Sequence, residues 1–310
     1  MFYPLFILLS VLETRLVHVP VLLSEFLEFF DGRLISSFLD MTLGAGGHAL
    51  AVLDKHPEVT AFSGIDRDPI ALEISDKILS SYKDVVKMTQ ISFKDYFSSE
   101  NKELKFDGML ADLGVSSMQM DDLTRGFSFK SDGPLDMRMD PFRGIDVAEV
   151  LNTFSEKKLG EIFRGLGEEP FWRRCAKAIV SFRQRKSFKT VVDLRDALRY
   201  VFPPFRIRKK IHPLTLVFQA LRMFVNDELG QLSRMIIEAV DRLNPGGRLV
   251  IISFCSLEDR IVKNGFRDFT DRKLGFAVNK KVIMPSENEI RRNPRCRSAK
   301  MRCFEKRIES

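Results

Sequence analysis

The sequence predicts an α/β fold, a doubly wound parallel sheet interrupted by one helical insert. Short apolar segments alternate with segments of helical periodicity over residues 38–113, and the same pattern resumes after residue 214. The stretch between them, 121–213, has helical periodicity and polar loops but no buried strand. Alternating strands and helices indicate a parallel sheet covered on both faces. The stretch without strands is therefore predicted to be an insert.

The first part of the sheet is predicted from four apolar segments, each long enough for one buried strand. These strands are expected at 38–42, 60–65, 85–91 and 106–113. Helices are expected at 50–56, which Pro57 ends, and at 69–79, where Pro69 lies in the first turn. Proline is tolerated there because the N–H that it lacks would have no helical partner.

The insert and the second part of the sheet follow from the same periodicities. Helices are predicted at 154–163, 172–182 and 191–201, a long helical region at 216–243, a tight turn at 244–247 and a buried strand at 248–254. We therefore expect an N-terminal extension (1–17), a first part of the sheet domain (18–120), the insert (121–213) and a second part (214–310).

Length and cysteine content limit the class of protein. A chain of 310 residues, 45 % of them hydrophobic, is long enough for one or two domains. Four cysteines lie far apart without a C-x-x-C pair, which argues against a zinc ribbon, a redox dithiol or a disulfide scaffold. Unpaired cysteines suit a reducing compartment, so we expect a cytoplasmic protein. The four are Cys175, Cys255, Cys296 and Cys303.

The first twelve residues (MFYPLFILLSVL) resemble the middle of a signal peptide. They follow no basic segment, contain Pro4 and are followed at once by Glu13 and Arg15. They are also too few to cross a bilayer as a helix. We expect a short extension that packs on the domain, or translation from an upstream start codon, and no membrane partner.

The basic residues are concentrated in two blocks, although the whole chain carries only +7. Residues 171–215 contain 13 basic and two acidic residues, and residues 291–310 contain eight and two. Such blocks favour a nucleic-acid partner over a membrane. Two clusters are candidates for binding phosphates, or are only solvated faces. They are Arg183, Arg185, Lys186 and Lys189, and Arg206, Arg208, Lys209 and Lys210.

A glycine-rich turn after the first predicted strand is typical of a nucleotide-binding loop. Gly44, Gly46 and Ala49 have the G-x-G-x-x-A spacing, and Asp66 ends the next strand. A carboxylate there can accept hydrogen bonds from both ribose hydroxyls of an adenosine. Asp68 is expected to cap the following helix instead. These features fit both NAD and S-adenosylmethionine.

The segment D-L-G-V-S-S at 112–117 favours S-adenosylmethionine. Ligands of open α/β sheets lie beyond the carboxyl ends of the strands, and this segment follows the fourth strand. It offers hydrogen-bond acceptors to an incoming amino group, with no Ser-His-Asp set and no set of metal ligands.

Eleven motifs in this chain, in order from residue 18 to the C-terminus, resemble one family. That family is the bacterial S-adenosylmethionine-dependent 16S ribosomal RNA methyltransferases that modify cytosine on N4. The motifs are HVPVLL (18–23), TLGAGGHA (42–49), IDRDP (65–69), DLGVSS (112–117), RGFSF (125–129), DGPLDMRMD (132–140), FQALR (218–222), VNDEL (225–229), PGGR (245–248), SLEDR (256–260) and NPR (293–295).

The resemblance implies a Rossmann-like methyltransferase sheet with a helical substrate-recognition insert. It also implies S-adenosylmethionine as cofactor and 16S rRNA, within the small ribosomal subunit, as partner, and it leaves a homo-oligomer open. The implied cofactor-binding residues are Gly46, Gly47 and His48 in the glycine loop, Asp66 at the ribose, Phe93 near the adenine, and Asp112 and Gln119 at the methionine end.

Asp112 is also the candidate catalytic residue. The lone pair of cytosine N4 is delocalised into the ring, and an acceptor bonded to an N4 hydrogen would help the nitrogen to pyramidalise. Asp112 could equally hold the amino group of the cofactor. The target base must leave its stack to reach such a site. Four aromatic residues of the insert either stack bases or form its core: Phe127, Phe129, Phe171 and Trp172.

The chain departs from the family pattern at two places. Cys255 stands where the family usually has histidine before S-L-E-D-R, so any role of that imidazole is lost or moved. The segment H-P-L-T-L-V at 212–217 lacks a basic residue that often follows in the family, which puts one RNA contact in doubt.

Two other functions compete with methyl transfer. An NAD-dependent oxidoreductase would share the glycine loop and Asp66, but it leaves the D-L-G-V-S-S segment and the basic insert unexplained. A non-catalytic RNA-binding protein would share the basic blocks but has no use for a cofactor loop.

Overall fold

The computed structural model describes residues 20–98, 103–207 and 212–308. The expected N-terminal extension (1–17) and Arg208, Lys209 and Lys210 lie outside these ranges. By internal contacts the chain divides into a sheet unit, Met1–Gly114 with Leu229–Ser310, and a helical unit, Val115–Glu228. The α/β fold with a helical insert is therefore confirmed.

Seven strands form one sheet in the order β3-β2-β1-β4-β5-β7-β6. Strands β1 to β5 pair in parallel, whereas β7 is antiparallel to both of its neighbours, β5 and β6. The strands are β1 (Ser37–Asp40), β2 (Ala61–Asp66), β3 (Val86–Gln90), β4 (Phe106–Asp112), β5 (Leu243–Ser253), β6 (Gly275–Ala277) and β7 (Lys300–Lys306).

Fourteen α-helices occur in the described residues. They are α1 (Leu23–Glu28), α2 (Gly47–Lys55), α3 (Pro69–Ile78), α4 (Phe93–Ser98), α5 (Ser117–Asp121), α6 (Val147–Thr153), α7 (Glu156–Gly165), α8 (Trp172–Arg183), α9 (Val191–Leu198), α10 (Pro204–Ile207), α11 (Thr215–Val225), α12 (Glu228–Asp241), α13 (Ser256–Asp271) and α14 (Glu287–Arg292). No helix among the described residues is long and apolar enough to cross a bilayer.

The sheet is buried on both faces, as its composition predicts. In β5, Leu249 and Ile251 pack into one hydrophobic cluster, and Val250 and Ile252 pack into the other. Because neighbouring side chains of a strand point to opposite faces, a continuous apolar run is what a doubly covered parallel sheet requires.

The helical unit has a separate hydrophobic core, formed by helices α6 to α9 and α11. It is wider than the expected insert, 121–213, because α11 packs against α6 and α7. Phe127, a candidate base-stacking residue, is 5 % exposed and belongs to this core.

In the second part of the sheet domain, residues 214–310, the structure differs from the sequence prediction in two details. The long helical region at 216–243 is two helices, because Asn226 caps the end of α11 and Asp227 has a left-handed backbone, with φ at 47°. Residues 244–247, predicted as a tight turn, lie within β5. The partners on β4 shift there from Phe106–Leu243 to Gly108–Arg248, which marks an irregularity in the pairing.

Candidate active site

Three carboxylates lie at the carboxyl edge of the sheet. Asp40 ends β1, where it is level with Gly64 on β2 and Leu110 on β4. Asp66 and Asp112 each lie two residues farther along their own strands. Because the strands are parallel, all three carboxylates are at the same edge, where ligands of this fold bind.

Asp66 fixes the glycine loop to the end of β2. Its Oδ2 accepts a hydrogen bond from the N–H of Gly44 at 2.9 Å, and its Oδ1 accepts one from the N–H of Asp68 at 2.9 Å. Burial raises the pKa of Asp66 although both N–H donors lower it. Each oxygen has a further lone pair, so the carboxylate can still accept hydrogen bonds from two ribose hydroxyls.

The prediction that Asp68 caps the helix after β2 is confirmed. Its side chain accepts a hydrogen bond from the N–H of Ile70, and it is the N-cap of α3, directly before Pro69. Asp68 therefore serves the helix, and Asp66 is the carboxylate left for a ligand.

Asp112 carries a buried oxygen without a partner. Its Oδ1 is sealed from solvent and has no hydrogen bond, while a quarter of the side-chain surface stays exposed. Burial, together with the nearby carboxylates of Asp40 and Glu258, raises the pKa of Asp112 to about 8. A buried oxygen without a donor is costly unless a ligand supplies one.

Asp40 and Glu258 belong to this site, and the sequence analysis missed both. Burial raises the pKa of Asp40 to about 7, even though its Oδ1 accepts a hydrogen bond from the N–H of Thr42 at 3.0 Å. The Oγ1 of Thr42 accepts a hydrogen bond from the N–H of Asp112 at 2.6 Å and so links the ends of β1 and β4. The signal for Asp40 was a carboxylate directly after an apolar run, the same pattern that identified Asp66.

Glu258, on helix α13, is near enough to Asp112 to raise the pKa of that residue. Its Oε2 accepts hydrogen bonds from the N–H groups of Phe254 and Cys255, and its own N–H donates to the Sγ of Cys255. This reciprocal pair is a capping box, in which the thiol takes the place of a serine hydroxyl. Cys255, the departure from the family histidine, thus caps a helix.

The glycine loop brings the backbone close to its neighbours. Gly46 is the N-cap of α2 with φ at 81°, a conformation that favours glycine. A Cβ on Gly47 would lie 2.7 Å from Cγ of Pro20, so a side chain there would displace Pro20. Glycine is therefore favoured by the backbone conformation at position 46 and by the close contact with Pro20 at position 47.

His48 is a neutral, structural residue. Burial lowers its pKa to about 4, and its Nε2 donates a hydrogen bond to the carbonyl of Val21 at 3.0 Å. This tautomer leaves Nδ1 as an acceptor 3.9 Å from Oδ2 of Asp112, too far for a hydrogen bond. His48 is not protonated near neutral pH, so the two side chains are not an ion pair.

The two remaining candidate residues lie in different units. Phe93 begins α4 in the sheet unit, where Arg67 lies 5.8 Å from its ring centroid. Gln119 lies in α5 of the helical unit and is 6 % exposed, and its Oε1 accepts a hydrogen bond from the N–H of Ser116 at 3.0 Å.

Three of the five described members of the two basic clusters contact other groups of the protein, and Arg185 and Lys189 are exposed, so phosphate binding by these clusters stays a prediction. Arg206 is 9 % exposed and lies 3.6 Å from Oε2 of the buried Glu169. Arg183 donates to two backbone carbonyls of the helical unit. Lys186 forms an ion pair with Asp193 at 2.6 Å. In the C-terminal block, Arg302 pairs with Asp259 at 2.7 Å.

The longest family motif, at 132–140, contains a strained loop that Asn226 holds. The side chain of Asn226 donates to the carbonyl of Met137 and accepts from the N–H of Met139, both at 2.8 Å. Met137 has φ at 60°, which a residue with a large side chain seldom adopts. Arg125 donates to the carbonyls of Arg138 and Met139.

The residues of the sheet unit fit a cationic adenosine cofactor. Asp112 Oδ1 lacks a donor, which an ammonium group would supply. A positive charge would also lower the pKa values of Asp40 and Asp112, which burial and neighbouring carboxylates raise. Asp66 retains lone pairs for two hydroxyls.

The chain is similar in sequence to a family of methylases and to named methyltransferases. The model of the MraW methylase family matches residues 15–307. The chain is 55 % identical to the ribosomal RNA small subunit methyltransferase H of Chlamydia caviae, over 93 % of this chain and 97 % of that protein. It is 54 % identical to the protein of that name from Chlamydia trachomatis, over 94 % and 97 %. An rRNA methylase from Streptococcus thermophilus is similar in structure, with a TM-score of 0.42 and 10 % identity over 88 % of this chain and 87 % of that one. The chain belongs to the MraW methylase family.

Proposed function

We propose that this protein transfers a methyl group from S-adenosylmethionine to the N4 amino group of a cytidine in 16S ribosomal RNA. The observation that carries the proposal is the unpartnered, buried Oδ1 of Asp112 at the carboxyl edge of the sheet, beside the glycine loop that follows β1. The family and the names of the two relatives support the reaction and the RNA.

The cofactor supplies a methyl group already activated on a sulfonium, so the protein mainly has to bind and align. We assign Asp66 to the ribose hydroxyls and Phe93 to the adenine ring. Gly46 and Gly47 let the backbone approach, and His48 holds the loop against Val21. Asp112 and Gln119 are assigned to the methionine end.

Asp112 can serve the nucleophile as well as the cofactor. Its carboxylate has two oxygens and about four lone-pair positions, enough for an ammonium group and for one hydrogen of the N4 amino group. Holding that hydrogen would orient the N4 lone pair and stabilise positive charge that develops on the nitrogen. We keep its role toward the cofactor as the first assignment.

The function is tested by incubating the purified protein with radiolabelled S-adenosylmethionine and small-subunit rRNA from a strain that lacks the corresponding gene. We expect label in N4-methylcytidine at one site, located by mass mapping. NADH in place of the methyl donor is the control, and a thermal shift with NADH but not with S-adenosylhomocysteine would support the oxidoreductase instead.

The form of the substrate and the cellular location are part of the same proposal. We propose that the rRNA is methylated within the small subunit, in the cytoplasm. Assembled subunits should then be methylated faster than protein-free rRNA under equal conditions. A preference for protein-free rRNA would exclude this part of the proposal.

Asp112→Asn tests whether Asp112 takes part in the chemical step. The variant keeps the shape and one acceptor oxygen but removes the negative charge, so we expect slower methyl transfer in single turnovers at saturating cofactor. The drop should exceed about tenfold, the worth of one charge-assisted hydrogen bond. Rates equal to wild type would leave Asp112 as a binding residue only.

A further inference from the structure

We infer that a surface on helices α7 and α8, where arginine side chains lie on the ring of Trp172, binds RNA phosphates. This surface, the Trp172 face, consists of Arg164, Trp172, Arg173 and Lys177. The inference rests on the proposed function because it takes RNA as the partner. It assigns a surface that neither the cofactor site nor the two basic clusters of the sequence analysis includes.

The ring of Trp172 orients two guanidinium groups. Cζ of Arg173 lies 4.0 Å from its centroid, and Cζ of Arg164 lies 5.8 Å away. The six-membered ring packs against Gly160, where an added Cβ would lie 2.8 Å from Cζ3 of the indole. The indole is thus fixed against α7, and the arginines on it lose less side-chain freedom when they bind a ligand.

The charges of the Trp172 face are exposed and form no ion pair among the described residues. Arg164, Arg173 and Lys177 are all exposed, and Arg173 and Lys177 lie one turn apart on the same side of α8. Several other cations of the helical unit form ion pairs instead. Besides the pairs of Lys186 and Arg206, these include Arg138 with Asp136, Arg195 with Asp132 and Arg222 with Glu228.

The geometry favours phosphates over bases as the ligand. A base would have to stack on the indole, but Arg173 covers the ring and Gly160 of α7 occupies its edge. A guanidinium that lies on an aromatic ring still presents its N–H donors outward in its own plane. Trp172 was a candidate for base stacking in the sequence analysis; we infer instead that it orients arginines.

A second pair of this kind extends the basic surface along α8. Cζ of Arg174 lies 5.6 Å from the ring centroid of Phe171. Arg174 is exposed and forms no ion pair in the part of the chain that the structure describes. Three arginines and one lysine within two adjacent helices are therefore available to a polyanion, and RNA is the polyanion that the proposed reaction requires.

Trp172 is the only tryptophan of the chain, so its fluorescence reports on this surface alone. Titration of the full-length wild-type protein with a mixed-sequence single-stranded RNA, with excitation at the red edge of the indole band, should give a saturable change in emission. Its midpoint should agree with the dissociation constant from the anisotropy of the same RNA carrying fluorescein. Tight binding without any change in Trp172 emission would contradict the inference.

The salt dependence of binding provides the quantitative test. The double variant Arg173→Gln, Lys177→Gln should flatten the slope of log affinity against log salt by about 1.5 units, since each lost phosphate contact removes about 0.7–0.9. The control, Lys280→Gln with Lys281→Gln, removes the same charge from exposed positions of the sheet unit and should keep the wild-type slope. Equal changes in both variants, or no change in either, would overturn the inference.

The role of the indole is tested apart from charge. Trp172→Leu should weaken RNA binding while the salt slope stays close to wild type, because the cations remain but are no longer oriented. Trp172→Phe should restore most of the affinity. Melting curves confirm that both variants fold. Affinity equal to wild type in Trp172→Leu would show that the ring does not orient the arginines, and would overturn that step.

These outcomes separate the inference from the proposed function. Suppose that the wild-type protein methylates rRNA and that the Arg173 and Lys177 variant binds and methylates RNA normally. The Trp172 face is then not an RNA-binding surface, and the proposed function is unaffected. If the wild-type protein binds RNA with the expected salt slope but transfers no methyl group, the function is wrong. Affinity for S-adenosylhomocysteine should be unchanged in every variant of the Trp172 face.

Discussion

Asp66→Ala is expected to weaken the binding of S-adenosylmethionine by about 2–4 kcal/mol, or about 30- to 1000-fold. The variant loses two charge-assisted hydrogen bonds to the ribose. It also loses the bond from the N–H of Gly44, which fixes the glycine loop to β2. Isothermal titration calorimetry with cofactor and with S-adenosylhomocysteine measures the loss.

Asp68→Ala is the matched control, because it removes a neighbouring carboxylate with a different role. Asp68 caps α3, so this variant should lose about 1 kcal/mol of folding stability and keep nearly normal cofactor affinity. A loss smaller than about threefold in Asp66→Ala would mean that Asp66 only shapes the loop.

The folding stability of the cofactor-free protein should decrease as the pH rises from about 6.5 to about 8. Asp40 and Asp112 have pKa values raised to about 7 and about 8, from 3.8. A carboxyl group with a raised pKa in the folded state stabilises the protein below 3.8 and loses that contribution as the pH rises through the folded-state pKa. For Asp112 alone the loss over this range is about 2 kcal/mol.

The range is chosen because buried His48 has the opposite effect at lower pH. Its pKa is lowered from 6.5 to about 4, so its contribution rises with pH and is complete above about 6.5. Urea denaturation at both ends of the range measures the decrease, and Asp112→Asn should remove most of it. Asp107→Asn is the control, since the pKa of Asp107 is lowered and its contribution is constant there. A wild-type stability that is flat or increasing from about pH 6.5 to 8 would contradict the raised pKa values.

Much of the sheet could be predicted because its strands are short, continuous apolar runs. Strands β1 to β5 are all present at the predicted positions, within a few residues. Strand β7 was missed because its sequence, K-M-R-C-F-E-K, places charged residues on a buried strand. Arg302 and Lys306 are satisfied there by Asp259 and by two backbone carbonyls, which only the folded chain brings together.

The site was predictable only as far as local patterns extend. The glycine spacing and the acid after each strand identified Asp66 and Asp112, and the same rule applied to β1 would have identified Asp40. Glu258 reaches the site from a helix more than 140 residues away in sequence, so its effect on Asp112 follows from tertiary structure alone. A charge count also does not show which members of the basic clusters are exposed, since Arg206 lies buried beside Glu169.

The position of strand β7 has a consequence for biosynthesis. It follows every other strand in the sequence, yet in the sheet it lies between β5 and β6. Until residues 300–306 have left the ribosome, the hydrogen-bonding groups along one edge of β5 lack their partners, and Met301 and Cys303 cannot fill their places in the core. An open, apolar edge of this kind is a template for aggregation. Because β5 ends at Ser253, this hazard arises only after most of the chain has been made and ends when β7 pairs with β5.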